Sequence, residues 1–249
     1  MAVHTPTIGF IYPDHAAEDD YPRAAELLGA DLRVVHIYGT DLHAVPELLD
    51  LGSPNRLQHG ADLLAPHGPN AVVWACTSGS FVYGPQGARE QVRGLAEAAG
   101  VPASSTSFAF VHAARALGVS TVAVCASYPD DVARLFVDFL AAEGIRVVSM
   151  SSAGIDTAAE VGTLGPARVR ELAVANDHPD AAALLIPDTA MHTVGVLPEL
   201  EAALGKPVLT ANQVTVWEGI RLAGYPPGGA PTSAALGKLF SERLIHVGH

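Results

Sequence analysis

The sequence predicts an α/β protein of two pseudo-symmetric Rossmann-like lobes, each with a parallel sheet, and a site in the cleft between them. Three observations predict it. Short β-branched runs alternate with alanine-rich stretches along the whole chain, the pattern of parallel βαβ units. The same order of elements occurs twice, near residues 5–118 and 119–226. Finally, Gly118, Gly144, Gly205 and Gly224 stand where helices should stop, because glycine alone adopts the left-handed C-cap without strain. The division expected is a first lobe of residues 5–118 with the C-terminal segment 227–249, and a second lobe of residues 119–226.

Taken in order, strands are expected at 7–11, 31–37, 71–75, 121–125, 146–150, 182–186 and 207–210. Helices are expected at 87–99, 108–117, 130–143 and 165–175. The repeat pairs these elements. TIGFIYP at 7–13 resembles TVAVCASYP at 121–129, each a strand running into a Tyr-Pro-Asp turn. AVVWACTS at 71–78 matches ALLIPDTA at 183–190, each an apolar strand ending in a small polar loop. GVPASS at 100–105 matches GKPVLT at 205–210, and the helices that follow end in AARALG and GIRLAG. Two facing halves would therefore set Cys76 and Asp188 across one cleft.

Composition narrows the functional classes. Of 249 residues, 49% are hydrophobic and 16% charged, which excludes a disordered or fibrous chain. The formal net charge of −12 comes without any basic run, so nucleic acid is not an expected partner. Mean hydropathy is +0.27, yet no apolar run approaches the roughly 20 residues a bilayer span requires. The start, MAVHTPTIGF, has no basic stretch followed by an apolar one. A cytoplasmic protein without membrane contact is expected. Two cysteines in a chain this long are no disulfide framework. Neither a metal-ligand spacing nor a phosphate-binding glycine motif occurs, so no cofactor is expected. An apolar chain with helical outer faces is compatible with a homo-oligomer.

Chemistry concentrates at two strand ends. In open parallel sheets, ligands bind beyond the carboxyl ends of the strands. Cys76-Thr77-Ser78-Gly79-Ser80 sits at such an end, where hydroxyls and free N–H groups can bind a carboxylate or an oxyanion. The same positive field is expected to lower the Cys76 pKa; the alternative is a small buried cysteine. Cys125, inside TVAVCAS, reads as core. Asp188 either performs acid/base or substrate-orienting work or caps the next helix. Tyr128 should project beside the cleft, with Tyr12-Pro13-Asp14-His15 as its counterpart. His192 is a candidate shuttle. The loops at 37–42 and 155–161 carry no pattern that defines a side-chain pocket.

TIGFIYP, CTSGSFVYG, ASYPDDV, DTAMHTVGVLPELE and GKPVLTANQVTVWEGIRLAG together resemble the aspartate/glutamate racemase superfamily, in its arylmalonate decarboxylase and maleate isomerase branch. The resemblance implies two α/β lobes with an acid/base residue from each flanking the α-carbon of a small carboxylic acid. Most members carry cysteine at both positions. The decarboxylase pattern keeps only the second, with glycine at the first. This sequence reverses it, with Cys76 first and Asp188 second. By similarity, Thr77, Ser78, Tyr128 and backbone N–H groups near Thr189 would hold the carboxylate. Pro13 and Asp14 would stand near the mouth, where maleate isomerases present a Ser-Asn pair.

Racemisation needs two competent acid/base groups, whereas decarboxylation needs an oxyanion hole and one proton donor. Cis–trans isomerisation needs a thiolate that adds to the double bond. The leading expectation is therefore decarboxylation of a malonate-type acid, with Cys76 protonating the enediolate and Asp188 orienting or tuning the site. The alternatives are isomerisation or racemisation of a small carboxylic acid through Cys76, and a non-catalytic binder of small acids.

Overall fold

The computed structural model describes residues 5–14, 16–226 and 228–240. Two four-stranded parallel sheets carry the molecule. The first contains β1 (Thr7–Pro13), β2 (Asp31–Ile37), β3 (Ala71–Trp74) and β4 (Ala103–Ser105), in the spatial order β2-β1-β3-β4. The second contains β5 (Thr121–Ala126), β6 (Arg146–Ser152), β7 (Ala183–Ile186) and β8 (Val208–Thr210), in the order β6-β5-β7-β8. The two orders are the same once the numbering is shifted by four, so the repeat read in the sequence is a repeat of topology.

Helices cover both faces, which is why β3 (AVVW) and β7 (ALLI) are buried at every position and read as continuous apolar runs. In the first half these are α1 (Asp20–Leu28), α2 (Val45–Leu51), α3 (Pro54–Leu64), α4 (Ser78–Phe81), α5 (Gly84–Ala99) and α6 (Thr106–Ala116). In the second they are α7 (Asp130–Ala142), α8 (Ala158–Gly162), α9 (Pro166–Ala175), α10 (Leu197–Leu204) and α11 (Ala211–Leu222). Gly118, Gly144, Gly205 and Gly224 all have positive φ, at 68°, 82°, 66° and 75°, and end α6, α7, α10 and α11 as expected. The sequence reading misses β4, whose Ala-Ser-Ser has no apolar or β-branched residue beyond one alanine, unlike the Val-Leu-Thr of β8.

One crossing joins the halves. α11 follows β8 in the chain but packs on β1, β3 and α6, and its residues 211–220 are buried throughout. At Gly219 a Cβ would lie 2.5 Å from Ile8 Cγ2, so only glycine lets the helix settle this closely on the sheet. Between α6 and α11, Glu218 is wholly buried and accepts from Arg221 Nε at 2.8 Å and faces His112 Nδ1 at 2.8 Å. The core is thus continuous from the first sheet through α11 to one face of the second, with a smaller cluster on its other face. Residues 228–240 lie against α1, α10 and α11, where Gln213 Nε2 donates to the Leu236 carbonyl at 2.8 Å. Residues 241–249 of the expected C-terminal segment lie outside the described residues. Among the described residues no helix is long and apolar enough to cross a membrane.

Candidate active site

β3 ends at Trp74 and β7 at Ile186. Two residues beyond each, Cys76 and Asp188 line one cleft, as the repeat predicts. Its walls include Tyr12, His43, Ser78 and Thr189, with the more exposed Pro13, Asp14 and Asp41 beside them. The free space inside it is small, about 30 Å³. A roomier groove between α3 and α5 is lined mainly by Leu57, Tyr83, Gln91 and Leu95, and offers no nucleophile. Among the described residues no three His, Cys, Asp or Glu side chains cluster as a metal site requires.

Cys76 is 3% exposed. The N–H of Gly79 donates to its sulfur at 3.3 Å, and the Ser78 hydroxyl lies 3.8 Å away. This approach needs glycine: a Cβ at Gly79 would stand 3.1 Å from Sγ and 3.0 Å from Trp74 Cζ2. The expected lowering of the thiol pKa is not found. Burial pushes it up to about 11, against the weaker downward pull of the Gly79 and Ser78 contacts. A helix of four residues supplies too little field to offset desolvation. The thiol is therefore protonated at neutral pH. Next to it the Thr77 hydroxyl is buried with no partner among the described residues, while the Thr77 carbonyl accepts from Ser107 Oγ at 2.8 Å. A fixed backbone thus presents an unspent hydroxyl.

Asp188 is 3% exposed and held from both sides. Ser127 Oγ donates to Oδ2, and the N–H of Ala190 donates to Oδ1 at 2.9 Å. Its side chain therefore closes a turn over residues 188–190; it caps no helix, since α10 begins only at Leu197. Two tyrosines clamp the backbone of this turn, one from each half. Tyr12 donates to the Thr189 carbonyl at 2.7 Å and Tyr128 to the Pro187 carbonyl at 2.7 Å. Burial raises both phenols well above the ordinary tyrosine value, so both remain neutral donors. The O–H of Tyr128 donates to Pro187, and its phenol lies beside the Thr77 and Ser78 side chains. Asp20 of α1 extends the clamp, accepting from the N–H groups of Thr193 and Val194 and from Asn212 Nδ2 at 3.0 to 3.2 Å.

Pro13 and Asp14 line the cleft. His192 does not reach the cleft: Nδ1 pairs with Asp19 at 2.8 Å and Nε2 lies 3.1 Å from the Gly162 carbonyl. Cys125 is core, with Asn176 Nδ2 3.8 Å from its sulfur. Sequence reasoning misses several residues of the cleft, Asp41 and His43 among them. His43 is 7% exposed, with Nδ1 3.1 Å from the Ile155 carbonyl and Nε2 4.0 Å from Asp188 Oδ2. It belongs to a clasp that closes over the cleft. The N–H of His43 donates to Asp156 O at 2.7 Å, Leu42 bridges Thr157, and the N–H of Ala158 donates to Asp41 O at 3.0 Å. The loops at 37–42 and 155–161, patternless in sequence, are thus the two sides of the roof.

The family model for arylmalonate decarboxylase matches residues 8–240. The arylmalonate decarboxylase of Bordetella bronchiseptica is 32% identical over 241 residues, 96% of this chain and 98% of that protein. The chain belongs to the arylmalonate decarboxylase family. A solved double mutant of arylmalonate decarboxylase, with a glycine changed to cysteine and a cysteine to serine and in its liganded form, superposes with a TM-score of 0.81. It is 28% identical, over 96% of this chain and all of that one. A maleate isomerase from Pseudomonas putida S16, solved with maleate, shares the fold at a TM-score of 0.83 and 21% identity, over 96% of this chain and 98% of its own. Family members of both kinds are enzymes.

Proposed function

We propose that this protein decarboxylates a malonate-type acid without a cofactor, with Cys76 as the proton donor. The observation that carries the reading is the Cys76 thiol, buried, protonated and open to the cleft beside the unpartnered Thr77 hydroxyl. One substrate carboxylate would accept from the Thr77 and Ser78 hydroxyls and the N–H groups near Thr189. The bond from the α-carbon to the other carboxylate breaks, CO₂ leaves, and the electron pair delocalises into the retained carboxylate as an enediolate. Fixed donors stabilise that charge without reorganising. The Sγ–H proton then passes to the α-carbon, and solvent returns a proton to the thiolate. Tyr12 and Tyr128 act through the 187–190 turn, which they hold against the substrate.

The relatives support the reading. Arylmalonate decarboxylase is the family matched over nearly the whole chain. Its double mutant gains one cysteine and loses another, and by resemblance Cys76 occupies the gained position. Cis–trans isomerisation is the second reading, favoured by the shared maleate isomerase fold. It requires a standing thiolate, which burial of Cys76 opposes.

Carbon dioxide release from phenylmalonate and alkylmalonates, measured beside maleate conversion, tests the proposal. Wild type should release CO₂, and Cys76→Ala should lose about 10²- to 10⁴-fold in rate, the usual contribution of a general acid. Undiminished turnover in Cys76→Ala would overturn the assignment, and fumarate formation without CO₂ would replace it by isomerisation.

A further inference from the structure

The proposed reaction leaves His43 without a task, although its ring lines the cleft and is almost wholly buried. Its hydrogen bonds determine its tautomer. The Ile155 carbonyl, 3.1 Å from Nδ1, can only accept, so Nδ1 carries a proton. In the neutral ring Nε2 then presents a lone pair toward Asp188 Oδ2, 4.0 Å away. A lone pair facing a carboxylate gains nothing; one added proton, on the ring or on the carboxyl, turns the contact into an attractive one. The remaining contacts of Asp188 are the donors Ser127 and Ala190, neither of which carries charge.

Charge gives this pair a purpose. Among the described residues that line the cleft, Asp14, Asp41 and Asp188 are acidic, and His43 is the one side chain able to become cationic. Tyr12 and Cys76 in the same walls are held neutral by burial, as is Tyr128, whose ring meets that of His43 edge-on at 4.9 Å. A malonate-type acid brings two negative charges into this space, next to a carboxylate. We propose that His43 is a positioning residue that acts through Asp188: the pair shares one proton in the empty cleft and keeps it when substrate binds, and the site thereby accepts a dianion. The inference rests on the substrate class proposed above and adds the device that selects for it.

Two measurements test it, one of which needs no turnover. Binding of phenylmalonate, a dianion, and phenylacetate, a monoanion, is measured by calorimetry in the inactive Cys76→Ala background. His43→Phe keeps a ring edge-on to Tyr128 but cannot take a proton. It should weaken phenylmalonate about tenfold, the scale of one uncompensated like charge at the effective permittivity of a protein site. Phenylacetate should change much less, and adding Asp188→Asn should abolish the difference. His43→Gln keeps a donor for Ile155 without charge and should behave like His43→Phe; restoration of wild-type binding by Gln would overturn the proposal in favour of a structural role.

The second measurement is the rate of Cys76 alkylation by iodoacetamide in chains that retain Cys76, with melting curves as a check on folding. His43→Phe should slow alkylation, because an uncompensated Asp188 opposes thiolate formation, and should leave it unchanged when Asp188→Asn is already present. Equal slowing in both backgrounds would overturn the proposal. If wild type binds neither acid, the substrate class falls, and the alkylation rates still decide the role of His43.

Discussion

Gly79 sets the position of the reactive sulfur. Its N–H reaches Cys76 because no side chain intervenes, and its carbonyl accepts from Trp74 Nε1 at 3.3 Å and Gln91 Nε2 at 2.8 Å. Gly79→Ala places a methyl 3.1 Å from Sγ and should cost about 1–3 kcal/mol of stability as overpacking. The same methyl should lower turnover, because the thiol moves relative to the α-carbon it is proposed to protonate. Denaturation midpoints and kcat measured together check this; unchanged values for both would contradict the close approach. Cys76 and Asp188 are legible in the sequence because each follows its strand at the same offset within the repeat. His43 is not, since its role depends on Ile155, 112 positions away, and nothing near it in the chain marks it among eleven histidines. The protonation of Cys76 is equally illegible: the sequence displays the helix start but not the burial that outweighs it.

The helix pair α6 and α11 joins the halves, and its buried ionic knot makes the join sensitive to acid. Burial alone would raise the Glu218 carboxyl, but hydrogen bonds and charge from Arg221 and His112 outweigh it and hold the group at about 2. A carboxyl depressed in the folded state contributes stability above its unfolded value, near 4.5, and loses it as pH falls toward 2. Glu218→Gln should therefore be less stable than wild type at pH 6 by up to about 3 kcal/mol, with the gap closing between pH 4.5 and 2. Urea denaturation at pH 6, 4 and 3 reads this directly; a gap independent of pH would contradict the assignment. Element by element, the strands were readable from their apolar runs and the helix ends from their glycines. What escaped was β4, whose Ala-Ser-Ser carries no apolar run, the helices α1–α4, α8 and α10, and the destination of α11, which is decided by packing on β1 rather than by its own sequence.

At the scale of the whole molecule, two similar sheets aim their carboxyl ends at one space, and two loops that follow equivalent strands, β2 and β6, roof it. Leu42 and Thr157 face each other in an antiparallel bridge, where Cα atoms lie about 4.5–5.5 Å apart, within reach of a disulfide. Leu42→Cys with Thr157→Cys should form that bond on oxidation, since both native cysteines are buried. If substrate passes between the loops, the oxidised variant should lose activity and recover it on reduction; full activity of the oxidised form would mean the clasp does not gate the cleft. In the proposed reaction a protonated Cys76 delivers one proton from one side of this cleft. Decarboxylation of methylphenylmalonate in D₂O, followed by proton NMR and chiral analysis, tests it most directly. The expected product is 2-phenylpropionate with one deuteron at the α-carbon and a single enantiomer in excess, formed about 10²- to 10⁴-fold more slowly by Cys76→Ala. A racemic product, or the same product from Cys76→Ala at an undiminished rate, would contradict it.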